Sequence, residues 1–156
     1  ETGHDQMLES RVADIVEQTG MTDSVAIMSL KYEAVQKMKS LRPDWTVGLL
    51  SATAIGDLSR LNADFLAVST NMASAGFIRR AQEAGKKVFV WTVNDPVTMS
   101  QVISQGVDGI ITDEPAMARR VLAERAGMNT GERLLIYAAI FFGGDFVARE
   151  YRDSSP

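Results

Sequence analysis

The polar residues that could do chemistry fall in short clusters, each just beyond an apolar run. They are Ser29 and Lys31, Ser51 and Thr53, Ser69 to Asn71, Thr92 with Asn94 and Asp95, and Thr112 to Glu114. Hydroxyls, amides and a few charges suit hydrogen bonding to a polar ligand. They do not make a self-sufficient hydrolytic centre. Ser29 has no nearby base to activate it as a nucleophile, so a pocket-lining or structural role is expected of it. Asp113 and Glu114 can be read as an acid and a base. Adjacent carboxylates just before Pro115 fit a helix start better, because the macrodipole favours acids there. The chain has one histidine, His4, and no cysteine. That excludes a disulfide framework, a thiolate zinc site and a multi-histidine metal site within the chain.

The elements that must position these clusters alternate regularly. Leu8, Val12, Ile15 and Val16 share one helical face, and Gly20 suits the position just past a helix end. Residues 24–30 then read as a buried strand. Ala34, Val35, Met38 and Leu41 give a second helix, closed by Pro43. Strands follow at 46–50 and 65–68, with a short helix at 57–61 between them. Phe77, Ile78, Ala81 and Ala84 mark a helix ended by Gly85. Residues 87–93, rich in β-branched and aromatic side chains, form a strong strand. Asp95 and Pro96 read as N-cap and first residue of the next helix, which Gly106 ends. Residues 107–112 are the last strand, and a helix opens at Pro115.

Strand, helix, strand with short loops is an α/β pattern with a parallel sheet. Two architectures compete on pattern alone. One is a five-stranded doubly wound, flavodoxin-like sheet, which the chain length fits. The other is a partial TIM (β/α)8 barrel, whose complete form takes about 250 residues. Both work at the C-terminal ends of their strands, where the polar clusters lie. Neither a GxGxxG nor a GxxxxGK[ST] loop follows any strand, which weighs against a nucleotide-binding doubly wound domain.

With 156 residues, 46% of them hydrophobic, the chain can bury a core. A net charge of −4 without a dominant basic cluster gives no nucleic-acid footprint. Arg79-Arg80 and Lys86-Lys87 read as solvated element ends rather than a phosphate site. The first ten residues lack the apolar core of a signal peptide. No run reaches the roughly 20 apolar residues that span a bilayer.

Three stretches resemble the glycerophosphodiester phosphodiesterase family. Val88-Phe-Val-Trp-Thr-Val-Asn94 is similar to its seventh barrel strand, with the characteristic tryptophan. Gly106-Val-Asp-Gly-Ile-Ile-Thr-Asp-Glu-Pro115 is similar to the eighth strand and the turn after it. Ile27-Met-Ser-Leu30 is a weaker match to the fourth strand, with Met28 and Leu30 departing from the usual serine and phenylalanine. Gly3-His-Asp5 resembles a segment after the third strand of some bacterial members. The resemblance implies that residues 1–126 are the C-terminal part of the barrel, strands four to eight with their helices. The family's general acid and base histidines and its metal-binding carboxylates would then lie upstream.

The resemblance also implies an activity: hydrolysis of glycerophosphodiesters to glycerol 3-phosphate and an alcohol. It implies a divalent cation, calcium or magnesium, for the intact enzyme, with none expected bound to this chain. It implies that Trp91 lines the substrate pocket, its ring packing on the glycerol moiety, although a tryptophan in a parallel strand also simply fills core. Asn94 is expected to hydrogen-bond substrate, to brace the loop, or to cap the helix with Asp95. Ser29 aligns with a family serine at a strand end. Glu114 stands where the family often has a basic or aromatic residue. Catalysis by this chain alone is not expected. The alternative is a non-catalytic binding or assembly domain that keeps the sheet.

Residues 127–156 read as a tail with one helix, about 132–142, apolar nearly all round and therefore needing cover. Five of eight barrel strands would leave two open edges. A homodimer through a strand edge or through the apolar tail is expected. The chain is expected to be a soluble piece of a bacterial protein. Some bacterial members with the Gly-His-Asp-like segment carry an N-terminal membrane region, so a membrane-associated parent is a further expectation.

Overall fold

A computed structural model of the chain describes residues 7–53, 56–132, 134, 135 and 138. Up to residue 127 the described α-helices and strands are α1 (Leu8–Gln18), β1 (Ile27–Ser29), α2 (Tyr32–Leu41), β2 (Val47–Ser51), β3 (Phe65–Ser69), α3 (Ala75–Glu83), β4 (Lys87–Trp91), α4 (Pro96–Ser104), β5 (Gly109–Ile110) and α5 (Pro115–Gly127). A single 3-10 turn, Leu58–Arg60, stands where a helix would join β2 to β3. Gly20, Gly85 and Gly106, each just past a helix, take positive φ of 65°, 77° and 89°. A side chain there would clash with the backbone, so these glycines stop their helices cheaply.

The sheet decides between the two expected architectures. All four strand pairs are parallel, and the spatial order is β1-β2-β3-β4-β5. A doubly wound sheet reverses its order at a switch point and carries helices on both faces. Here the order never reverses. Ala13 of α1, Val35 and Met38 of α2, Ile78 and Ala81 of α3, Met99 and Val102 of α4 and Val121 of α5 all join one buried cluster. They pack there with Val47, Leu49, Leu66, Val68, Val88 and Val90 of the strands. One-sided wrapping of a sequentially ordered parallel sheet is a segment of a (β/α)8 barrel. The flavodoxin-like alternative is therefore set aside.

The strand residues of opposite parity form the inner face of the sheet. Two aromatic rings occupy it. Phe65 lies opposite Gly48 in register, and a Cβ built at residue 48 would stand 2.2 Å from its ring. Phe89 likewise lies opposite Gly109, with a corresponding 2.6 Å approach. The two rings meet edge to face, 5.3 Å between centroids. Each glycine thus makes room for its neighbour's ring.

The first strand differs from expectation. It is short, and Met28 and Leu30 are 47% and 66% exposed rather than buried. β1 is the sheet edge, so its inner side has no strand beyond it to share the cover among the described residues. The last strand is also shorter than the expected 107–112, although Ile111 still bonds to β4. Of the apolar tail expected about residues 132–142, Glu132, Leu134, Leu135 and Ala138 are helical, and the others lie outside the described residues. His4 and its neighbours Gly3 and Asp5 lie outside them too.

Candidate functional site

The C-terminal ends of the strands carry the polar clusters, and the geometry separates them into two kinds. At β1 and β2 the side chains bond within their own turns. The Ser29 hydroxyl accepts the Lys31 backbone N–H at 3.1 Å, and the Ser51 hydroxyl donates to the Thr53 carbonyl at 2.7 Å. Ser29 pairs with Leu49 and shares the parity of Ile27, both of which pack against the helices. It therefore stands on the helix-facing side of β1 and does not converge with Trp91.

At β4 and β5 the bonds cross between strands. Trp91 pairs with Ser69 of β3, and its indole Nε1 donates to the Ala67 carbonyl at 3.0 Å. The polar edge of the ring is thus satisfied inside the sheet, and the half-buried ring stays on the inner face. Just beyond, the ladder is irregular. Ile111 donates to the Val90 carbonyl and accepts from the Val93 N–H. A regular parallel ladder would use the N–H of Thr92. Trp91 and Thr92 therefore both stand opposite Ile111, which is a bulge, a device that re-aims side chains near a strand end.

Asn94 follows the bulge. Its Nδ2 donates to Asp113 Oδ2 at 2.8 Å, and its Oδ1 accepts from Thr112 Oγ1 at 3.1 Å and from the Asp113 N–H at 2.9 Å. Thr112 Oγ1 in turn accepts the Glu114 N–H at 2.9 Å. Asn94 therefore braces the β5 exit and leaves capping to Asp95, whose carboxylate accepts the Thr98 N–H at 2.8 Å. Glu114 stands at the N-cap position of α5, as expected of a helix start there. The helix does begin at Pro115, but no side chain caps it. Asp113 is engaged by Asn94 instead. That pairing was not legible in the sequence, because the two residues lie 19 positions apart.

Metal binding was tested on the donor set. Among the described residues no group of three or more His, Cys, Asp or Glu side chains could hold a metal ion. These residues do not fit the divalent cation that the family resemblance implies. Two concavities lie away from the strand mouths. One of about 460 Å³ is lined by Thr22, Arg42, Trp45 and Thr46, before β1 and β2; a smaller one, about 270 Å³, lies between Leu58 and Arg80. Neither touches the Trp91 cluster. Among the described residues no helix is long and apolar enough to cross a membrane.

Comparison with known proteins agrees with this geometry. The model of the glycerophosphoryl diester phosphodiesterase family matches residues 1–117. A glycerophosphodiester phosphodiesterase of Caldanaerobacter subterraneus subsp. tengcongensis is 27% identical over 112 residues, covering 69% of this chain and 46% of that protein. A dermonecrotic toxin of Loxosceles arizonica is 30% identical over 126 residues, covering 81% of this chain and 40% of the toxin. The solved phosphodiesterase of Oleispira antarctica, in complex with the product sn-glycerol-3-phosphate, superposes with a TM-score of 0.63 at 20% identity, over 76% of this chain and 51% of that one. The chain spans about half the length of the curated phosphodiesterases it matches.

Proposed function

The chain belongs to the glycerophosphoryl diester phosphodiesterase family, and on that premise we propose that it is the substrate-side half of a barrel that hydrolyses glycerophosphodiesters to glycerol 3-phosphate and an alcohol. The observation that carries this reading is the openness of both flanks. β1 and β5 each pair with one strand only among the described residues. The helices beside them also carry uncovered apolar groups: Leu8 and Ile15 of α1 are 59% and 60% exposed, and Leu122 of α5 is 52% exposed. Open edges and uncovered helices on both sides suit a sheet that closes with further β/α units.

Within that barrel this half supplies binding rather than proton transfer. Phosphodiester hydrolysis needs charge neutralisation at the phosphoryl oxygens and a proton donor and acceptor near neutral pH. The described strand mouths offer hydroxyls, amides, acids and the single ammonium of Lys31, and no histidine. Trp91 offers an apolar ring face with its N–H already satisfied. That arrangement suits packing on a glycerol backbone, and the general acid, the base and the cation ligands are assigned to the other half. The Oleispira complex with sn-glycerol-3-phosphate supports this substrate class.

Two assays test the reading. The gene product that contains this stretch together with the rest of its barrel is expected to release glycerol 3-phosphate from glycerophosphocholine only when a divalent cation is present. Absence of release under any metal tested would sink it. The isolated chain, with its flanks open, is expected to self-associate through a strand edge or the apolar tail, as a homodimer in sedimentation. A compact monomer at high concentration contradicts that part.

A further inference from the structure

The residues around Asn94 form a closed circuit that a substrate contact alone does not require. Asn94 is exposed, yet its Oδ1 takes two donors and its Nδ2 donates to a carboxylate. An exposed amide that served only as a ligand for substrate would be solvated in the free protein. Here both partners come from the exit of β5, and Thr112 passes the link on to the Glu114 N–H. The circuit sits directly after the bulge formed by Trp91 and Thr92. A bulge loosens the ladder locally, because one residue is left without its regular partner. Trp91 is thus held from two sides: by its own bond to the Ala67 carbonyl on β3, and by a side-chain bridge to β5 that begins three residues later.

We propose that Asn94 is a positioning residue: it pins the exits of β4 and β5 together and so fixes the Trp91 ring and the Asp113 carboxylate at the mouth of the barrel. Its acceptor oxygen is consumed by Thr112 and Asp113, which leaves one amide hydrogen at most for a ligand. Asn94 therefore acts on substrate through Trp91. The substrate side of this inference rests on the phosphodiesterase reading; the pin itself does not.

The chemistry of the pair supplies a sharp substitution. Asn94→Asp removes the amide donor to Asp113 and sets two carboxylates face to face, which repel. Adding Asp113→Asn restores a donor and an acceptor with their places exchanged. The chain has two tryptophans, so a Trp45→Phe background makes Trp91 the sole indole emitter.

The experiment has two arms in that background. In the full chain, acrylamide quenching of Trp91 and hydrogen exchange of the Asp113 amide are compared for Asn94, Asn94→Ala, Asn94→Asp and the Asn94→Asp/Asp113→Asn exchange, at equal far-UV circular dichroism. The pin predicts faster quenching and roughly tenfold faster Asp113 exchange in the single variants, and recovery in the exchange. Unchanged quenching and exchange in Asn94→Ala overturns it. So does an exchange variant that folds and recovers neither signal. If Asn94→Ala does not fold, the exchange variant decides alone. In the whole gene product, Asn94→Ala is expected to raise KM for glycerophosphocholine by about tenfold with kcat within about twofold. A fall in kcat at unchanged KM contradicts action through Trp91. If the parent enzyme releases no glycerol 3-phosphate at all, the phosphodiesterase reading fails, and the quenching arm still decides the pin.

Discussion

The two ends of the sheet are tied together by different means. At the N-terminal end, acids at the start of one strand clamp the backbone of the strand before it. Asp64 accepts the Val47 N–H at 2.8 Å and both its oxygens accept from Lys39 of α2 at 3.0 Å. Asp108 repeats the arrangement two strands on, accepting the Val88 N–H at 2.8 Å and Gln82 of α3 at 3.0 Å. Each clamp fixes helix, strand and next strand at once. At the C-terminal end no acid clamps a strand backbone among the described residues; Ser69 of β3 donates to the Ala52 carbonyl beyond β2, Trp91 of β4 donates to the Ala67 carbonyl of β3, and Asn94 bridges the exits of β4 and β5. The first arrangement fixes the strand starts, and the second ties the candidate site together. That division matches the general rule for barrels, in which the C-terminal face works and the opposite face stabilises.

The comparison breaks first at the clamps. Asp64→Ala takes the counter-charge from a Lys39 ammonium that is only 16% exposed, leaving it the Pro43 and Trp45 carbonyls, and removes the partner of the Val47 N–H. It is expected to lower unfolding free energy by about 2–3 kcal/mol, read from the urea midpoint. Asp108→Ala, whose side-chain partner is neutral, is expected to cost about 1–2 kcal/mol in the same measurement. If either acid can be removed with no shift in midpoint, the clamp account is wrong.

The inner face comes next. A methyl group at Gly48 would press on the Phe65 ring, which already packs on Phe89. Gly48→Ala is expected to cost about 1–3 kcal/mol through overpacking. A cost below about 0.5 kcal/mol would mean that Phe65 swings away freely.

The C-terminal face sharpens the contrast. Trp91→Ala is expected to change stability less than Asp64→Ala does, yet to raise KM of the whole enzyme for glycerophosphocholine by about tenfold. Equal loss of stability from both substitutions would erase the distinction between the two ends.

The smallest effect is electrostatic and lies on the helices. The Arg42 guanidinium bonds the Glu17 carboxylate through Nε and, at 2.9 Å, through Nη2. Hydrogen bonding to Arg42, opposed by partial burial and aided by charge attraction, holds the Glu17 carboxyl below its ordinary value near 4.5. A lowered folded-state pKa gives stability that is present above the unfolded value and lost as pH falls through the folded one. Glu17→Gln is therefore expected to lower Tm slightly at pH 7 and not at all at pH 2. Salt should shrink even the pH 7 difference, because the pair is exposed. A larger Tm difference at pH 2 than at pH 7 would contradict the sign.

Much of this was legible in the sequence, for identifiable reasons. Helix ends could be read because Gly20, Gly85 and Gly106 and the Asp95-Pro96 pair act locally. Strands β2 and β3 could be read because most of their residues are buried, and β4 because it is rich in β-branched and aromatic residues. β1 was read as buried because composition does not reveal that a strand stands at an edge. The choice between barrel and doubly wound sheet was not legible from the pattern, since strand order is a long-range property; the family resemblance of residues 88–94 and 106–115 pointed to the barrel, which the sheet order bears out. At the candidate site, Trp91 and Asn94 were visible as residues, while their partners were not. Ala67 and Asp113 lie 24 and 19 positions away, and only folding brings them near.

The central claim is that this half of the barrel binds and the other half reacts. Glycerol 3-phosphate release from glycerophosphocholine, measured side by side for the 156-residue chain and for the whole gene product with added calcium or magnesium, tests it most directly. The account predicts cation-dependent release by the whole product and none by the chain alone. Turnover by the purified chain would contradict it.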